Sequence, residues 1–548
     1  MTLPESKTEP ANTDTEATVY DTDGLSSSSS NIQSFENSNF TYLRFIVDQP
    51  LITPAILSHQ YEGSGTALAP YIVTWIDNDP RDARNWSHGR KATTTVIMAT
   101  LVLAATFVSS TYSGCRREII SDLNSSSEVF SLGLALYVLG FALGPLLWAP
   151  LGELYGRQII CFITYGAFTA FNAGSAGAQN IHTLVILRFF AGAFAASALT
   201  NPGGVIADIY DPAHRGLAMA LFASGPFMGP VLGPIVGGFL GQSHGWRWVS
   251  GLTAIFSGVL WVITTVFVPE THAPFILRNR AQQLSNMTGH YYRSKLDAGK
   301  SEMTAWKELK ISLTRPWALL FYEPIILLLS IYMSIIYGTL YMFFGAIPIV
   351  FQQHRGWGEG QGGLAFLGII IGVILAILSS IIYQRRYKRM VKQDRTSGGT
   401  GSLPPEARLP MSMIGAIFLP IGLTWFAWTN YPNIHWIASI SAGVPFGFGM
   451  VLVFTSISAY LIDTYMMFAA SALAANVVMR SACAAAFPMF TGYMYTRLGI
   501  HWASMIPAFL TLTCAPLPFF FYKWGARIRA RCKYSAAAQN FRTAMDEK

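Results

Sequence analysis

Charge is what this sequence has least of. Only 12% of its 548 residues are Asp, Glu, Lys or Arg, against about a quarter in a soluble domain. Over a chain this long, the deficit argues against a soluble enzyme. Cysteine is scarce too: Cys115, Cys161, Cys483, Cys514 and Cys532 are scattered, with neither paired metal spacing nor a disulfide framework. There is no G-x-x-x-x-G-K-[ST] loop to cradle nucleotide phosphates, which argues against a primary pump. The spans and loops contain no HExxH, GxSxG or paired-carboxylate constellation. No catalytic residue, metal site or cofactor is therefore expected.

Apolar sequence is abundant. Hydrophobic residues make up 52% of the chain, and the mean hydropathy is +0.37. Apolar runs near the about 20 residues needed to cross a bilayer fall at 92–113, 129–149, 159–178, 183–205, 216–240, 249–268, 325–350, 363–384, 411–429, 434–462, 468–492 and 502–522. Buried in lipid, such segments must satisfy their own backbone hydrogen bonds, so they read as helices. The expected fold is an all-α membrane protein of twelve transmembrane helices in two pseudo-symmetric six-helix bundles. Residues 81–269 and 323–523 form the bundles, and 270–322 is a central loop. Residues 1–80 read as a disordered tail: the first forty hold seven acids, one lysine and the run Ser26 to Ser30. Residues 524–548 form a basic tail.

Lysine and arginine set the orientation. The central loop carries eight of them, from Arg278 to Arg315, and the loop after the eighth run carries seven, from Arg385 to Arg408. Loops of opposite parity hold only Arg116, Arg117, Arg247, Arg355 and Arg497. Both termini are therefore expected to be cytoplasmic. The net charge of +8 is then a matter of topology, with the lipid bilayer as partner and no nucleic acid.

A repeat supports two halves. Gly245-Trp246-Arg247-Trp248-Val249-Ser250 precedes span 6, and Gly499-Ile500-His501-Trp502-Ala503-Ser504 precedes span 12; Asp208-Ile209-Tyr210 likewise matches Asp463-Thr464-Tyr465. Transporters use such repeats to place a site at the interface between halves. Span 5 carries Gly225, Gly229, Gly233 and Gly237 at intervals of four, with Pro226, Pro230 and Pro234 in register and Gly238 beyond. This ridge without side chains lets a second helix approach backbone to backbone, and the prolines bend the helix. Either static packing or a moving, sealing interface fits. Between spans 2 and 3, Glu153, Gly156 and Arg157 mark a tight turn. Its charges suit a conformational latch, or else an exposed ion pair of little worth.

These segments resemble the major facilitator superfamily. The loop Ala149-Pro150-Leu151-Gly152-Glu153-Leu154-Tyr155-Gly156-Arg157-Gln158 is similar to its signature between spans 2 and 3. The departures from that signature are Ala149 for glycine, Glu153 for aspartate and Leu154 for arginine. The span 5 ridge resembles the antiporter motif of its proton-coupled drug exporters, and Leu187-Arg188 with Gly192 resembles their span 4 motif. Pro269 to Pro274, Arg355-Gly356-Trp357 and Gly362 to Gly368 are similar to the fungal twelve-span drug:proton antiporter branch. The resemblance covers about residues 85–530. It implies alternating access, a proton gradient as the energy source, and export of an amphipathic drug, toxin or secondary metabolite by a monomer in the plasma membrane, or else the vacuolar membrane. Polyamine or nutrient transport on the same scaffold, or a non-transporting sensor, are the alternatives.

Two charges lie deep within spans, Arg188 and Arg480, the latter one turn from Asn476. A charge at that depth costs at least about 2.5–3.5 kcal/mol, so a functional role is the default. The resemblance implies proton coupling for Arg188. An arginine does not give up its proton, so it would act on a neighbouring group, hold a substrate anion, or bond structurally to carbonyls. No span carries an acid near its middle, and Glu128, Asp208, Asp463 and Glu323 sit at span edges. On span 7, Ser330, Ser334, Tyr337, Tyr341 and Phe344 share one helix face. The resemblance places span 7 on the central cavity, with Tyr137 and Phe141 of span 2 as a second aromatic pair. Such a wall suits flat amphipathic molecules.

Overall fold

The computed structural model describes residues 48–211, 216–295, 305–397 and 403–546. Among these, eleven helical runs are long and apolar enough to cross a membrane. Ten are single spans: His88–Asp122 (span 1), Ser127–Tyr155 (2), Arg157–Ala176 (3), Ile181–Ile209 (4), Gly216–His244 (5), Trp246–Phe267 (6), Pro324–Gln353 (7), Glu359–Thr396 (8), Pro410–Thr429 (9) and Trp436–Tyr465 (10). The eleventh, Ala469–Arg531, has 63 residues, far more than the about 20 that one crossing needs. It breaks at Gly499, where φ is 73° and ψ 168°, so it supplies spans 11 and 12 and the count is twelve. Gly245, between spans 5 and 6, has nearly the same conformation (φ 88°, ψ 161°). Both glycines open the sequence repeat, and both adopt a region closed to residues with a Cβ.

Polar caps start the helices where the sequence offers them. Ser126 accepts from the Val129 N–H before span 2, and Asn180 from the Thr183 N–H before span 4. Spans 1 and 5, 2 and 4, and 3 and 6 pack closely in the first half, as do 8 and 10, and 9 and 10, in the second. The halves meet where span 5 packs on span 8 and span 2 on the Ala469–Cys514 run, an exchange expected of a pseudo-twofold pair of bundles.

The reading of residues 1–80 as one disordered tail needs correction over its last part; residues 1–47 lie outside the described residues. Residues 48–86 wrap the helix Ala273–Thr288 of the central loop. Strand β1 (Tyr71–Val73) pairs in parallel with β2 (Tyr292–Ser294). Ile56, Val73, Leu277, Ala281 and Leu284 form a small core. Arg280 donates to both carboxylate oxygens of Asp79 (2.6 and 3.3 Å) and to the Pro50 carbonyl, with both side chains of the ion pair fully buried. Leu51, Ala83 and Trp86 join the core of the first bundle. Each apolar patch here is too short to read as a span, and it gains a partner only after about 200 residues have intervened.

The C-terminal segment is likewise attached. Helix Lys533–Asp546 follows span 12, with the Tyr534 N–H donating to Glu323 (2.8 Å) and Arg529 donating to both oxygens of Glu406 (2.9 Å each). All five cysteines are free thiols. Burial, with Glu323 beside it, pushes the Cys532 thiol up to about 11, which keeps it protonated and unreactive.

Candidate functional site

The glycine ridge turns its four-residue face toward span 1, within its own half. A Cβ on Gly229 would lie 2.6 Å from the Leu103 carbonyl oxygen, and one on Gly237 2.2 Å from that of Thr111. Gly225 and Gly233 also abut span 1, and Thr106 Oγ1 donates to the Gly225 carbonyl at 3.0 Å. Pro226, Pro230 and Pro234 are buried with them. The glycines of the ridge meet the other half at the end away from the chain termini. There a Cβ on Gly238 would sit 2.6 Å from the Glu359 carbonyl oxygen, and one on Gly363 2.6 Å from that of Pro234. The Glu359 carboxylate accepts from the Arg117 N–H (2.9 Å) across the halves, and Gln242 accepts from the Gly360 N–H (3.3 Å). At this end the halves are sealed largely by backbone.

Inward of that seal lies the aromatic centre. Tyr137, Phe141, Ser334, Tyr337, Tyr341 and Phe344 are all buried, so the structure brings the expected span 2 and span 7 residues into the interior. Tyr337 and Tyr341 have centroids 5.1 Å apart, and Tyr341 meets Phe344 edge to face at 5.2 Å. Phe227 of span 5 meets Phe454 of span 10 across the halves at 4.9 Å. The hydroxyls of Tyr341 and Ser109 (span 1) hydrogen-bond at 2.9 Å, a second link between halves. Tyr137 donates to the Ala105 carbonyl at 2.8 Å and stands edge to face with Phe141. Ser334 donates to the carbonyl of Ser330 on its own helix. Phe454, Phe227 and Ser109 are central residues that the sequence reading missed, since each is one apolar or small residue among many.

The two deep arginines flank these rings and differ in their bonding. Arg188 donates through Nε to the Gly133 carbonyl (3.0 Å) and through a terminal nitrogen to that of Ser109 (2.9 Å). Its guanidinium lies over Tyr112 (4.1 Å) and Tyr137 (5.0 Å). It therefore ties spans 1, 2 and 4 together. Arg480 lies over Tyr337 (5.1 Å) and Phe454 (5.4 Å). Its Nε is buried with no hydrogen-bond partner, and no ion pair to it is seen among the described residues. Asn476 does not partner Arg480 but donates to Ser330 Oγ (3.1 Å) and Met333 Sδ on span 7.

The edge acids are placed differently. Glu128 is exposed in the first turn of span 2. Asp208 accepts from Arg157 Nε (2.8 Å) and Thr271 Oγ1 (3.3 Å). Thus Arg157 of the expected latch clasps span 4, whereas Glu153 is exposed and has no ion pair among the described residues. Gly156 has φ 89°, and a Cβ there would lie 2.4 Å from Glu270 Oε2. That carboxylate also accepts from the Gln158 N–H (3.0 Å), which fastens the turn to the segment after span 6. The second half repeats the clasp: Arg408 donates to Asp463 at 2.7 Å.

Comparison with known proteins agrees with this geometry. The family model described as Major Facilitator Superfamily matches residues 93–488. The chain is 55% identical to the MFS-type efflux pump MFS2 of Trichophyton rubrum, over 91% of this chain and 83% of that protein. It is 57% identical to the major facilitator superfamily multidrug transporter mdrA of Aspergillus fumigatus, over 91% and 82%. Among solved structures, the proton:xylose symporter XylE superposes with a TM-score of 0.57 at 15% identity, covering 80% of this chain and 96% of that one. The chain belongs to the major facilitator superfamily.

Proposed function

We propose that this protein is a proton-coupled secondary transporter that exports amphipathic organic compounds by alternating access. The observation that carries the reading is the buried aromatic centre shared by the two halves, with Phe227 against Phe454 and Ser109 bonded to Tyr341. Rocking one half against the other opens that centre to one side at a time. The sealed end around Glu359 and Gly238 faces outward on the positive-inside reading, and the Arg157–Asp208 and Arg408–Asp463 clasps face the cytoplasm. Relatives named as efflux pumps and multidrug transporters support export. Rings at the centre suit flat molecules held by area burial and ring contacts. A polyamine would need deep carboxylates, and none among the described residues bonds to the central arginines or tyrosines. The protein works as a monomer in the plasma membrane, and Arg188 shapes the coupling by fixing spans 1, 2 and 4 around the centre.

The test is accumulation of fluorescent planar drugs and a labelled polyamine in cells expressing wild type or Arg188→Ala, with and without a protonophore. Lower drug accumulation in wild type, abolished by the mutation and by the protonophore, is the expected outcome. Raised accumulation, or movement of the polyamine alone, overturns the direction or the substrate.

A further inference from the structure

Two guanidinium groups flank the same set of rings, and they are not equivalent. Arg188 has two carbonyl acceptors, so its hydrogen-bonding capacity is partly used. Arg480 stands on span 11 over the faces of Tyr337 and Phe454. Its Nε is shut off without an acceptor. A ring face attracts a cation but does not replace the hydrogen bonds lost with water, and the half-buried Arg480 keeps part of its side chain open. Asn476, one turn away, is engaged with span 7, and Tyr341 with Ser109. No carboxylate among the described residues bonds to either arginine. The centre is therefore a packed cluster of rings carrying two positive charges, one of them with an unused donor.

We infer that Arg480 is the recognition residue for an anionic group on the transported compound, and that the preferred substrates are planar aromatic or conjugated organic acids such as carboxylates. The ligand supplies the acceptor that the protein withholds. A carboxylate beside Arg480 accepts one or two charge-assisted hydrogen bonds in a fork geometry that guanidinium favours. Its ring system then lies against Tyr337, Tyr341 and Phe454 at the seam between the halves. Because Tyr337 and Arg480 belong to one half and Phe227 and Ser109 to the other, a bound acid touches both and its charge is sensed wherever they meet. This inference names the substrate class within the exporter reading and rests on it for direction, but the binding chemistry rests on the two arginines.

The test uses purified full-length protein and three probes sharing one ring system: pyrenebutyrate, its methyl ester and pyrenebutylamine. Binding is followed by energy transfer from tryptophan to pyrene, and flux is measured with the same probes in everted vesicles under an imposed pH gradient. The acid is expected to bind wild type about ten- to hundredfold more tightly than the ester, the range for one hydrogen bond to a charged group, with the amine weakest. Arg480→Gln should reduce the acid-to-ester ratio to about threefold or less, whereas Arg480→Lys should keep most of it. Equal affinity for acid and ester in wild type, or preference for the amine, overturns the inference without recourse to any variant. A ratio that survives Arg480→Gln overturns the assignment to Arg480. Acid preference without pH-driven flux of any probe upholds the anion site and sinks the exporter reading; flux without acid preference does the reverse.

Discussion

The two halves of this molecule are alike at their ends and unlike in their middles. Each half carries an Arg–Asp clasp at the end that holds the termini, Arg157–Asp208 and Arg408–Asp463, with N···O distances of 2.8 and 2.7 Å. Each has a glycine turn before its last span, at Gly245 and Gly499. A more buried ion pair also lies near the same end of each, Asp79–Arg280 in the segments that flank the first half and Glu406–Arg529 beside the second. The deep arginines break the pattern: one is bound to carbonyls, the other lies over ring faces with its Nε unpartnered among the described residues. The scaffold thus repeats at its ends and diverges at its centre.

The comparison is broken most severely at the most buried pair. Asp79→Ala strands Arg280 with no exposure on either side chain and should cost about 3–5 kcal/mol. It should be read as a fall in melting temperature and rapid proteolysis near residue 75. Glu406→Ala removes a bidentate partner that is about one-tenth exposed, and the expected loss is smaller, about 1.5–3 kcal/mol. If the two losses were equal, burial would not be what ranks these pairs.

The arginines sharpen the contrast with opposite signs. Arg188→Met forfeits two carbonyl hydrogen bonds and should lower the melting temperature of the ligand-free protein. Arg480→Met removes a charge without a counter-ion and should leave the melting temperature unchanged or raise it. A parallel drop in both variants would mean that Arg480 is as well satisfied as Arg188. The clasps come last. Asp208→Asn and Asp463→Asn should each cost about 0.2–1 kcal/mol, with Asp208 the larger because Thr271 also donates to it and its pair is less exposed. Their kinetic signature is a shift in transport rate, restored in the first half by the swapped pair Arg157→Asp with Asp208→Arg.

Most of this architecture was legible in the sequence because hydropathy is a sum over about 20 residues, and such sums survive local irregularity. The twelve spans follow from hydropathy and the two halves from the repeat, whereas periodicity puts Tyr337 and Tyr341 on one helix face and only the resemblance places that face, and Tyr137, in the interior. Single contacts were less legible. Asp208 and Asp463 stood out as a repeated pair, but Arg408 was one of seven basic residues in its loop. The module of residues 48–86 escaped notice because Asp79 and Arg280 lie 201 residues apart. The glycine spacing of span 5 marks a face without side chains, yet sequence alone does not say which helix lies on it. The structure shows span 1 beside most of it and span 8 only at one end.

The parallel pairing of Tyr71–Val73 with Tyr292–Ser294 has a consequence for synthesis. The first strand leaves the ribosome about 220 residues before the second, a wait of roughly 10–45 s at 5–20 residues per second. All six spans of the first half are made in that interval. The buckle can close only on a half whose last span has returned the chain to the side where it began. A miscounted or inverted span would leave the second strand across the membrane from the first. The small sheet thus forms only on a chain whose first six spans have inserted with even parity.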